Sequence, residues 1–125
     1  MKAFKIDGIF PLEIPGNWAV ETGEVTAIYN PDGGSGALQF SFYRIDAVID
    51  VGEFLQLFLH DHFEGATPIL THDYAWFEGV DENEVYWRYW LFRKPNGMAL
   101  ATYNCAKADK DKEFGTVNDI IKSLI

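Results

Sequence analysis

Along the chain, apolar and polar residues alternate in short runs that give way twice to helical spacing. Residues 3–10 read as a first strand, with Phe4, Ile6 and Phe10 on one side. Pro11 and Pro15 then interrupt it, because proline lacks the N–H that a regular ladder or a helix interior uses. Trp18–Thr22 and Val25–Tyr29 form a hairpin around Gly23. The turn formers from Asn30 to Gly36 follow, and they join that hairpin to a strand over 37–44. There Leu38, Phe40 and Phe42 face one way while Gln39, Ser41 and Tyr43 face the other, the signature of a half-buried strand.

The spacing changes at Asp50. Val51, Phe54, Leu55, Phe58, Leu59 and His62 fall on one helical face, so a helix is predicted over Val51–Phe63. Asp50 is a natural N-cap with Glu53 three residues on, and Gly65 is placed to end the helix. Strands over 68–79 and 83–94 meet near Val80-Asp81-Glu82, and a strand over 98–106 follows the Pro95-Asn96-Gly97 turn. On the 83–94 strand, Val85, Trp87, Tyr89 and Leu91 alternate with Tyr86, Arg88, Trp90 and Phe92, so both faces are apolar enough to be covered or to make contacts. A helix over Asp111–Leu124 closes the chain, with Phe114, Val117, Ile120, Ile121 and Leu124 as its stripe. These elements predict a single α+β domain over residues 1–125, built on an antiparallel sheet of six to seven strands.

The composition supports a packed core, since 20 of 125 residues are Phe, Tyr or Trp. A net charge of −9 argues against nucleic acid and anionic lipid as partners, whose phosphates would repel it; it leaves a basic protein or a cation open, and equally serves to keep an aromatic-rich domain in solution. No run approaches the roughly 20 apolar residues of a membrane span. With charged residues near its start, the chain is expected in the cytoplasm. Cys105, the single cysteine, excludes an intrachain disulfide and sits in an apolar run that predicts burial.

Candidate chemistry is sparse. His60-Asp61-His62 and His72-Asp73 carry the residue types that bind zinc or a similar ion, and His62 is the imidazole placed to meet His72 across the intervening loop. The glycines of 32–36 lack the lysine and following helix of a phosphate loop. Asp81, Glu82 and Glu84 read as a charged hairpin turn, and no Gly-x-Ser-x-Gly elbow exists. The aromatic strands stand out instead: Trp76, Tyr86, Arg88 and Trp90 are of the types enriched at binding hot spots, and the aromatics are equally what a sheet covered by helices buries; Asp32 on the glycine loop is a further binding candidate.

Ile14-Pro15-Gly16-Asn17-Trp18 after the first strand and Ile120-Ile121-Lys122-Ser123-Leu124 at the end, with the element order between them, resemble the PsbP-like superfamily. That group includes an extrinsic photosystem II subunit, a Ran-GTPase-binding protein and small bacterial domains. The resemblance implies an α/β/α sandwich, a sheet flanked by helices, and usually a protein that binds another protein. No cofactor is expected. The expected function is therefore non-enzymatic protein binding, in bacteria of the kind immunity proteins perform. Two alternatives stand beside it: a small-ligand or metal-dependent enzyme using His62, His72 and nearby carboxylates, and a homodimer held by an unpaired aromatic strand.

Overall fold

The computed structural model describes residues 2–6, 10–95 and 97–124. The order is β1 (Lys2–Ile6), β2 (Phe10–Ile14), β3 (Ala19–Glu21), β4 (Thr26–Tyr29), β5 (Gly36–Arg44), α1 (Val51–Leu59), β6 (Ile69–Leu70), β7 (Tyr74–Val80), β8 (Val85–Lys94), β9 (Gly97–Ala106), a 3₁₀ turn (Lys107–Asp109) and α2 (Phe114–Leu124). Seven strands form one antiparallel sheet in the order β3-β4-β5-β9-β8-β7-β6, and β1 with β2 makes a separate ribbon. The α+β class expected from the alternation is the observed one.

Alternation along β8 and β9 gives the sheet two apolar faces, and each has its own core. On one face Leu38, Phe40, Tyr86, Trp90 and Tyr103 pack with Ile6, Leu12 and Ile14 of the ribbon and Val117, Ile120, Ile121 and Leu124 of α2. On the other, Tyr89, Leu91, Met98 and Leu100 pack with Val51, Leu55 and Leu59 of α1. Trp18, from the Pro-Gly-Asn-Trp segment, is buried in the first of these cores.

Several predicted boundaries move. The first strand ends at Ile6, and residues 7–9 of the predicted 3–10 run lie outside the described residues. Pro11 does not break the structure but sits in β2 opposite Lys5. Each strand of a two-stranded ribbon is an edge, where a missing N–H is tolerated. The helix predicted to reach Phe63 stops at Leu59: the His60 N–H donates to the Leu57 carbonyl at 3.2 Å, tightening the last turn. The chain then swings Phe63 onto Phe77 and Tyr89, with ring centroids 5.0 and 6.4 Å away, before Gly65 turns it at φ +79°. The predicted start is confirmed, with Asp50 Oδ1 accepting the Glu53 N–H at 3.1 Å.

The 68–79 strand divides into β6 and β7, whose hairpin through residues 71–73 is closed by the Thr71 N–H on the Tyr74 carbonyl at 2.9 Å. The closing helix begins at Phe114 rather than Asp111, because Glu113 is drawn inward by the glycine loop. Of the Pro95-Asn96-Gly97 turn, Asn96 lies outside the described residues.

Candidate functional site

The aromatic set, readable from sequence as core or as binding surface, lies mostly in the core. β7 and β8 pair in a register that sets Trp76 opposite Trp90 and Glu78 opposite Arg88, all on the α2 face. Tyr86 and Trp90 are only 4% and 2% exposed, so neither can anchor a partner. Trp76 is half-buried. Arg88 is spent internally: its guanidinium carbon lies 4.7 Å from the Trp76 ring centre, 5.3 Å from Trp90 and 5.0 Å from Phe114, and Nη1 donates to Glu78 Oε2 at 2.9 Å. The side chain thus fastens the first residue of α2 to the sheet through cation–π contacts. Asp32 is an exposed residue of the β4–β5 turn, and β9 and β8 lie between that hairpin and Trp76 on β7.

The two histidines proposed as metal ligands do not meet. His62 stacks on Trp87 at 5.0 Å and 20°, and Trp87 pairs with Gly79 near the end of β7. His72 precedes the start of β7 and is exposed beside Asp73, 3.1 Å away. Tyr74 and Gly79 alone are separated by roughly 16 Å of extended strand. Among the described residues no group of three or more His, Cys, Asp or Glu is arranged to hold a metal ion. His62 and His72 are therefore not placed to share one ion.

Asp81 organises the β7–β8 turn. Its Oδ1 accepts the Asn83 and Val85 N–H groups at 2.8 and 3.1 Å, and Oδ2 accepts Trp87 Nε1–H at 2.9 Å. The Trp87 hydrogen bond, with help from the two amides, holds the Asp81 carboxyl below the usual carboxylate range. Glu84 adopts φ +61° in the same turn. Burial, reinforced by Asp61 and Asp81, pushes the Tyr89 phenol from 10.0 up to about 12. Cys105 is buried, and that burial raises its thiol, which makes it a poor nucleophile.

One residue that sequence reasoning passed over is Glu113. Buried at the start of α2, it accepts the Ser35 and Gly36 N–H groups at 3.0 and 3.1 Å and the Tyr103 hydroxyl at 2.9 Å, all on Oε1. The glycine loop does cradle an anion, and that anion is the protein's own carboxylate. The hint in the sequence is that Glu113 ends the acidic run Asp109, Asp111, Glu113 directly before an apolar stripe.

A second feature is the distribution of charge along the chain. Between Arg44 and Arg88 lie Asp46, Asp50, Glu53, Asp61, Glu64, Asp73, Glu78, Asp81, Glu82 and Glu84, ten of the 19 carboxylates, with no Lys or Arg. The fold gathers most of them around α1. Asp61, Glu64, Asp81 and Glu82 line a cleft of about 260 Å³ with His60, His62 and Asn83. Asp50 and Glu53 line another, of about 240 Å³, between α1 and β6. Within this acidic layer Leu57 and Leu70 are 71% and 64% exposed. Acidic rims around exposed aliphatic side chains suit a cationic macromolecule more than a small neutral substrate.

Comparison with protein-family models gives no match, and neither does comparison with curated proteins. A crystal structure from Bacteroides thetaiotaomicron VPI-5482, at 1.50 Å resolution, is similar in fold, with a TM-score of 0.58 and 18% sequence identity. The similarity covers 90% of this chain but 42% of that one, so the present chain spans less than half the length of its structural neighbour. At that identity the likeness speaks to fold alone.

Proposed function

We propose that this is a non-enzymatic binding domain whose α1 layer docks a basic protein. The observation that carries the reading is the segregation of charge: the stretch from residue 45 to 87 holds ten carboxylates and no Lys or Arg, and it builds the layer in which Leu57 and Leu70 are exposed. Such a layer steers a cationic surface toward itself, and the two leucines supply apolar area to bury once it arrives. A PsbP-like ancestry and an immunity-like role against a basic toxin are compatible with this reading, and both belong to the proposal.

The test is affinity purification from the native cell with the unaltered domain and with an Asp61→Lys, Glu64→Lys, Glu82→Lys variant. The expected result is a basic protein, identified by mass spectrometry, that is retained at low salt, released at high salt and absent from the variant. Equal recovery by both forms, or recovery of acidic proteins alone, would remove the reading.

A further inference from the structure

The outer edge of β7 is half unpaired. β6 is only two residues long and covers Trp76 and Ala75, while β7 runs on to Val80. Pro68 stands immediately before β6 and has no N–H with which to extend the ladder. Hydrogen bonds from Asp81 N–H to the Val85 carbonyl and from Arg93 N–H to the Asp73 carbonyl fix which β7 residues face β8. By strand alternation those are the odd-numbered ones, so the N–H and C=O groups of Glu78 and Val80 point outward. No hydrogen bond to these outward groups is found among the described residues. On the opposite side of the sheet the edge strand β3 covers all of β4 except Thr26, whereas β6 leaves the second half of β7 uncovered.

We propose that this edge binds an extended, basic segment of the partner by strand addition, antiparallel to β7 at Glu78–Val80. The inference rests on the basic-partner reading above and adds the mode of docking. Charge complementarity selects the occupant. The acidic cleft begins at Asp81, the residue after Val80, and an added residue opposite Gly79 projects from the α1 face, on the side where Phe63 packs against Gly79. A Lys or Arg at that position is attracted by Asp61, Glu64 and Glu82 of the neighbouring cleft. Residues opposite Glu78 and Val80 project from the other face, beside the 39% exposed Val80, and an apolar side chain fits there. A second copy of the chain is a worse occupant, since each copy carries a net charge of −9.

The experiment measures binding of a fluorescent heptapeptide of alternating lysine and valine by anisotropy, at low and high salt. Beside it runs the same peptide N-methylated at its valines, the residues opposite Glu78 and Val80 whose N–H groups would face β7, which keeps the charge but removes those donors. Strand addition predicts that methylation, or Val80→Pro on the protein, weakens binding about tenfold, the loss of one to two hydrogen bonds. Val80→Pro removes an outward N–H only. Should that variant not fold, hydrogen exchange on the unaltered domain decides: the Glu78 and Val80 amides become protected when the peptide is added. Equal, salt-sensitive binding of both peptides, with those amides unprotected, overturns strand addition while leaving the basic-partner reading intact. No binding of either peptide at low salt, with no basic protein recovered from the cell, overturns both. A concentration-dependent dimer that Val80→Pro abolishes overturns the proposed occupant in favour of a second copy.

Discussion

Glu113 shows how much of this structure turns on one side chain. Its carboxylate oxygen gathers two amides from the glycine loop and the hydroxyl of Tyr103, tying β5, β9 and the start of α2 together in a place that water hardly reaches. The Glu113 carbonyl accepts the Val117 N–H at 2.9 Å, so the same residue also opens α2, where negative charge meets the positive end of the helix. Removing the carboxylate leaves three donors without an acceptor. Glu113→Ala is expected to cost about 3 kcal/mol, and Tyr103→Phe, which removes one bond together with its donor, about 1 kcal/mol. Urea denaturation of both variants checks this; a Glu113→Ala loss no greater than that of Tyr103→Phe would mean that water takes the place of the carboxylate. None of this could be read from spacing, because 77 residues separate Glu113 from Gly36.

At the scale of elements, local rules held where the chemistry is local. The α1 start was predictable because an Asp side chain reaches the N–H three residues on whatever the rest of the chain does. Asp50→Ala is expected to cost about 1 kcal/mol by leaving that N–H uncapped, measurable as a lower thermal midpoint, while Asp50→Asn retains most of it. The helix end was not predictable in the same way. Apolar periodicity runs through His62, but Phe63 finds more partners among Phe77 and Tyr89 than another helical turn would offer it. The aromatic strands follow a similar logic. Alternation announced that both faces of β8 are apolar, yet it could not say that α2 covers Tyr86 and Trp90 while the edge beside Val80 stays open.

At the scale of the whole molecule, the sheet separates two cores that share no side chains. Leu55 is fully buried on the α1 side and Ile120 on the α2 side. Each Leu→Ala or Ile→Ala change is expected to cost 2–5 kcal/mol in order of magnitude, or about that much each, and the double variant to lose the sum within about 0.5 kcal/mol. Coupling well beyond that in equilibrium unfolding would show that the sheet transmits repacking from one face to the other. Six of the ten carboxylates of the acidic stretch line the two clefts beside α1, while Glu78 pairs with Arg88 on the α2 face. Among the described residues no helix is long and apolar enough to cross a membrane.

Sequence alone determined the antiparallel strands, the two amphipathic helices, the buried thiol, the N-cap of α1 and the charge of the acidic stretch. Each of these depends on neighbours a few residues away or on simple counts. The tertiary structure decided which aromatics are core and which surface, that His62 and His72 stand near opposite ends of β7, that Glu113 fills the glycine loop, and that half of the β7 edge is unpaired. Those outcomes depend on which distant segments meet, and burial and hydrogen-bond satisfaction are set only when the sheet has assembled.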